Sequence, residues 1–200
     1  MSEIRLDRPI GNWRHICVDM QRMFVEDTPW RVSWMERILP CVLSIAERDP
    51  KRTIFTRFVP PKTAEDVNGT WRDYYLKWPM MTGDSLAPEL IDLLPELAML
   101  VPPAAIFNKR VYSPWFDGTL QAALVSSGVE TLVISGGETD VCVLATVLGA
   151  IDLGHRVILV RDAVCSGADE THDASLDLLN SRFSVQLTVA TTKELLAAIK

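Results

Sequence analysis

Short apolar runs rich in β-branched residues alternate along this chain with longer segments whose apolar positions recur at helical spacing. The runs at 14–19, 52–57, 104–108, 131–135, 156–160 and 185–189 predict six strands. Helical spacing predicts helices over 30–48, 88–94, 117–127, 139–153, 168–181 and 192–199, with Gly128 and Gly154 closing two of them. Between 59 and 88 the pattern lapses. That stretch, VPPKTAEDVNGTWRDYYLKWPMMTGDSLAP, is rich in Pro, Gly and aromatics and has no clear period. A long irregular segment within a compact domain is commonly a lid or a pocket wall.

Strands alternating with helices predict an α/β fold, a parallel sheet covered on both faces in three α-β-α layers. Chemistry in such folds collects beyond the carboxyl ends of the strands. Three reactive side chains fall there. Asp19 closes the first strand, Lys109 directly follows the strand at 104–108, and Cys142 lies just past Ser135-Gly-Gly-Glu-Thr-Asp-Val, in the first turn of the next helix. A cysteine at a helix N-terminus is expected to have a stabilised thiolate. The neighbouring backbone N–H groups could cradle an oxyanion. Asp19 could take the thiol proton and return it to a leaving amine, and a lysine beside it would supply positive field. Each residue alone has an ordinary reading: a small buried hydrophobe, a turn residue, a solvated lysine. Only their joint placement at strand ends argues for a site.

Length and charge narrow the picture. The 200 residues, 48% hydrophobic and 23% charged, suit one α/β domain over 1–200. A net charge of −6 disfavours a phosphate-backbone partner. The first 13 residues contain no apolar signal region, and no apolar stretch is long enough to span a bilayer. Cys17, Cys41, Cys142 and Cys165 show no CxxC spacing, so reduced thiols in a cytoplasm are expected. Gly136-Gly137 opens a helix after a strand, but neither GxGxxG nor GxxxxGK[ST] is present, which leaves a nucleotide-binding module a weak alternative. A non-catalytic partner protein is disfavoured by the presence of all three reactive residues.

Four segments, in order, carry a resemblance: Val18-Asp-Met-Gln-Arg-Met-Phe24, Lys109-Arg-Val-Tyr-Ser-Pro-Trp-Phe116, Gly136-Gly-Glu-Thr-Asp-Val-Cys-Val-Leu-Ala-Thr146 and Val160-Arg-Asp-Ala-Val-Cys-Ser166. Together they make the chain resemble the isochorismatase-like cysteine hydrolases, whose members include nicotinamidases, N-carbamoylsarcosine amidase and ureide hydrolases. The resemblance implies a six-stranded, mainly parallel sheet in the order 3-2-1-4-5-6. It implies Asp19 as general base and acid, Lys109 as electrostatic partner and Cys142 as nucleophile. It also implies a cis peptide at Gly137–Glu138, with an oxyanion hole formed by backbone around Gly137, Glu138 and Cys142. The activity implied is hydrolysis of a C–N bond in a small amide, carbamoyl or ureide substrate through a thioester. The nicotinamidase metal site needs histidines after the second strand. This chain reads Thr56-Arg-Phe-Val-Pro-Pro61 there and has no histidine between His15 and His155, so no metal and no cofactor are expected.

Other residues are candidates for substrate contact. Phe24, Trp71, Tyr74, Tyr75, Trp78, Tyr112 and Trp115 could line a pocket for a planar molecule, or could equally glue the long loop to the domain or to a second subunit. Arg57 could clamp a carboxylate or pair with Asp66 or Asp84. Glu138 could accept an amine or urea N–H, or pair with an arginine. The aromatic density of 59–88 predicts a homo-oligomer, dimeric or tetrameric, with this loop at the contact. Asp162 is expected to tether a loop at the sheet edge, and His172 to lie on a surface helix.

Overall fold

The structure is a computed structural model that describes residues 6 and 9–199. The N-terminal stretch read for an export signal lies largely outside the described residues. Six parallel strands form one sheet in the order β3-β2-β1-β4-β5-β6. They are β1 (Trp13–Val18), β2 (Thr53–Phe58), β3 (Ala105–Lys109), β4 (Thr131–Gly137), β5 (Arg156–Cys165) and β6 (Leu187–Ala190). The helices are α1 (Met35–Arg48), α2 (Thr70–Lys77), α3 (Pro95–Ala98), α4 (Thr119–Ser126), α5 (Leu144–Asp152), α6 (Asp169–Arg182) and α7 (Thr192–Ala198).

Alternation along the strands builds a core on each face of the sheet. Cys17, Phe55, Val133, Ile158 and Val160 pack with the stripe Met35, Ile38, Val42, Ile45 of α1 and with Leu195 of α7. Ile16, Val18, Ile134 and Leu159 point the other way, onto Leu124 of α4, Val147 of α5 and Leu179 of α6. The central strands β1 and β4 are apolar on both faces, as strands sandwiched between helix layers must be. Polar groups are buried within this core as well. His15 is fully buried in β1, with Nε2 2.8 Å from Ser135 Oγ and Nδ1 3.3 Å from Thr53 Oγ1.

Some elements depart from the sequence pattern. The stretch 59–88 is not wholly irregular: it contains α2, whose composition hid it because only Tyr75 of its residues is buried. The helix expected over 88–94 is a short 3-10 turn, Pro88–Ile91, and α3 follows. The helix expected over 139–153 starts as a π-helical turn, Thr139–Val143, before α5.

Candidate active site

β1, the first strand of the chain, lies between β2 and β4, and the chain reverses its direction of winding about this point. Asp19 follows β1 directly, with a positive φ of 51°. A non-glycine residue is seldom held in that region unless its surroundings fix it. Thr56 of β2 does so from both sides: its Oγ1 accepts from the Asp19 backbone N–H at 3.1 Å and donates to Asp19 Oδ1 at 2.6 Å. Gln21 adds a second tether, accepting from Phe58 N–H at 2.7 Å and donating to the Phe58 and Ile91 carbonyls.

Lys109 is the last residue of β3, two strands away from β1. Its ammonium passes over the Phe58 ring, 5.2 Å from the centroid, and reaches 2.6 Å from Asp19 Oδ2. It lies 3.4 Å from Cys142 Sγ and donates to the Val111 carbonyl at 3.2 Å. Asp19, Lys109 and Cys142 are all buried, at 1%, 5% and 8% exposure. The three residues expected at strand ends thus meet at one ammonium.

The corner that brings Cys142 here depends on Gly136. Its φ is 107°, and a Cβ would fall 2.1 Å from the Val18 carbonyl oxygen, so no side chain fits between β4 and β1. The Gly137–Glu138 peptide is cis. Cys142 then lies in the π-helical turn. Consecutive residues of this corner are tied to the loop after β5 and to the start of α6: Glu138 accepts from Gly167 N–H, Thr139 Oγ1 lies 2.8 Å from His172 Nδ1, and Asp140 accepts from Ser166 and Thr171 hydroxyls. His172, expected on a surface helix, therefore buttresses the nucleophile corner.

Electrostatics revise one expectation. Burial, and then the Asp19 charge, push the Cys142 thiol up from its ordinary value, outweighing the Lys109 ammonium that pulls it down. That direction disfavours the stabilised thiolate that a helix N-terminus suggests. For Lys109, burial opposes the charge, but Asp19 and Cys142 outweigh it and hold the ammonium above its usual range.

A cavity of about 270 Å³ opens over Cys142. Its walls are Phe24, Pro29, Trp30, Arg31, Phe58, Tyr74, Tyr112, Gly137, Glu138, Val141 and Cys142. Of the expected contact residues, Phe24, Tyr112 and Glu138 line it and Arg57, Trp78 and Trp115 do not. Arg57 engages Asp92 at 3.0 Å and Asn108 at 2.9 Å, rather than Asp66 or Asp84. Trp78 packs beside Lys77, and Trp115 donates to the Thr146 carbonyl and fills the space above Gly149 of α5. The sequence pattern does not mark Pro29, Trp30 and Arg31 as cavity residues, nor Thr56 as the tether of Asp19. Only proximity in chain to the Asp19 motif could have pointed to the first three.

A family model described as isochorismatase domain matches residues 15–191. The chain belongs to the isochorismatase family. It is 29% identical over 128 residues to maleamate amidohydrolase of Pseudomonas putida, covering 64% of this chain and 57% of that protein. It is 28% identical over 182 residues to the "Probable inactive nicotinamidase" of Arabidopsis thaliana, covering 84% and 90% respectively. The crystal structure of a cysteine hydrolase from Pseudomonas syringae superposes with a TM-score of 0.83 at 24% identity, over 100% of this chain and 98% of that one. The isochorismatase-like cysteine hydrolase assignment and the sheet order 3-2-1-4-5-6 both stand.

Proposed function

We propose that this isochorismatase-family protein hydrolyses a C–N bond of a small amide, carbamoyl or ureide substrate through a thioester on Cys142. The observation that carries this reading is the Lys109 ammonium between Asp19 and Cys142, whose side chains are buried together behind the Cys142 wall of the cavity. The relatives' amide chemistry, as in maleamate amidohydrolase, supports the same reaction class.

A neutral thiol fits the proposed sequence. Cys142 Sγ attacks the carbonyl carbon as its proton passes to Asp19. The carbonyl oxygen gains charge and is held by backbone N–H groups of Glu138 and Cys142, both on the cavity wall. Asp19 then protonates the leaving nitrogen, and the C–N bond breaks to leave a thioester. Water, deprotonated by Asp19, attacks that thioester, the C–S bond breaks, and the proton returns to Sγ. Lys109 keeps a positive charge beside both partners throughout. No step calls on a metal or cofactor, and we place the activity in the cytoplasm, where free cysteines persist.

The non-catalytic alternative has one point in its favour, the printed name of the Arabidopsis relative. Ammonia release from a panel of small amides and ureides separates the two. Turnover by the wild-type protein that disappears in Cys142→Ala supports hydrolysis, and no release from any of the panel supports the alternative.

A further inference from the structure

The cavity over Cys142 holds two charged side chains on different walls. Glu138 belongs to the 137–142 wall that carries the nucleophile, and Arg31 belongs to the 29–31 wall. Arg31 is held there by its backbone. Its N–H donates to the Thr28 carbonyl at 3.1 Å, Thr28 Oγ1 donates to the Met23 carbonyl at 2.6 Å, and Val32 N–H closes the loop onto the Phe24 carbonyl at 2.8 Å. The guanidinium itself is exposed and, among the described residues, has no acidic partner within ion-pair distance. Arg22, Arg52 and Arg57 have carboxylate partners and Arg37 covers the Trp34 ring, and among the described residues no arginine but Arg31 lines this cavity.

An unpaired guanidinium on the wall of a small, largely aromatic cavity is a fork of donors without acceptors. A carboxylate meets that geometry with two parallel hydrogen bonds. Glu138 disfavours the same carboxylate near the nucleophile and leaves acceptor capacity for a substrate N–H, since among the described residues only Gly167 N–H, at 3.2 Å, donates to its carboxylate. The two charges therefore orient one kind of molecule, with its anion toward Arg31 and its amide toward Cys142.

We infer that Arg31 anchors a substrate carboxylate, so that the compound hydrolysed at Cys142 is a small amide bearing a negative charge at its other end. This rests on the amide-hydrolysis reading for the reaction, though not for the anion site. The test compares short amides that end in a carboxylate, such as succinamate, with neutral isosteres, such as 4-methylpentanamide, in wild type, Arg31→Gln and Arg37→Gln. Binding of succinate to the same three proteins is measured by calorimetry. The wild type should prefer the anionic amides. Arg31→Gln should lower the anionic-to-neutral ratio of kcat/KM by about 10- to 100-fold and weaken succinate by a similar factor, while Arg37→Gln keeps the wild-type ratio. An unchanged ratio and unchanged succinate affinity in Arg31→Gln overturn the anchor, even if amides are hydrolysed. Succinate binding that depends on Arg31, in a protein that hydrolyses no amide, keeps the anchor and overturns the reaction.

Discussion

Lys109 Nζ lies 2.6 Å from Asp19 Oδ2 although the strands that carry them, β3 and β1, are not neighbours. The ammonium crosses β2 above Phe58, and the ion pair is closed to solvent on both sides. A buried pair of this kind contributes little net stability, but removal of one partner strands the other charge in the core. Lys109→Met should therefore cost roughly 3 to 5 kcal/mol of stability and abolish turnover. Urea unfolding with a steady-state assay checks both. A Lys109→Met protein as stable and as active as the wild type contradicts the role.

Thr56 sets the position of Asp19 through two hydrogen bonds. Thr56→Val keeps the shape and removes both. It should cost about 1 to 3 kcal/mol and lower kcat more than it raises KM, because Asp19 moves proton rather than substrate. Thr56→Ser, which retains the hydroxyl, should restore most of kcat. Equal losses in Val and Ser variants would argue against hydrogen bonding as the cause.

His15 gives the fold a predictable acid sensitivity. Burial holds its imidazole at about 3, below the ordinary 6.5. Between those values the unfolded chain takes up a proton that the folded chain does not, so stability falls as pH drops through 6.5 and the loss is complete below the folded value. From pH 6.5 to 4.5 this one group should account for about 2 kcal/mol. His15→Gln cannot take up that proton, and its stability should decline less over the same range. Parallel pH-stability curves for the two proteins would show that His15 does not set the slope.

The aromatics of 59–88 pack within the chain. Trp71 lies 4.9 Å from the Tyr112 ring, and Trp30 lies 5.6 Å from Tyr74, both tyrosines being cavity walls. These contacts account for part of the aromatic density, while Leu76 and Met80 of the same stretch stay exposed, and the homo-oligomer with this loop at its contact remains a proposal. Trp71→Ala should lower kcat/KM by loosening Tyr112 and leave the sedimentation mass unchanged. A fall in mass, measured by analytical ultracentrifugation, would put Trp71 itself at an interface.

The legible part of this protein is its strand pattern and what stands at the strand ends. Asp19, Lys109 and Cys142 could be grouped because a parallel sheet collects its carboxyl ends, and the structure brings them together. Arg31 could not be grouped, because it stands in a turn whose position comes from backbone hydrogen bonds to Met23, Phe24 and Thr28 rather than from a periodic pattern. Arg57 is legible as a strand-end residue, but its partner is not. It stands near the end of β2, but Asp92, far away in sequence, occupies its guanidinium. The extension of β5 to Cys165 was hidden by the exposed pair Arg161 and Asp162, which breaks the apolar run. Asp162 leaves the strand face to cap α7 through Thr192.

In the proposed reaction the sulfur of Cys142 attacks the substrate carbonyl. Steady-state hydrolysis of the best amide by wild type, Cys142→Ser and Cys142→Ala, with folding checked by circular dichroism, tests it most directly. Both variants should fold like the wild type and lose at least about 1000-fold in kcat, serine included, because a hydroxyl is a far weaker nucleophile in a site arranged for a thiol. Hydrolysis by Cys142→Ala within about 10-fold of wild type would mean that the C–N bond is broken without this sulfur, and would contradict the account.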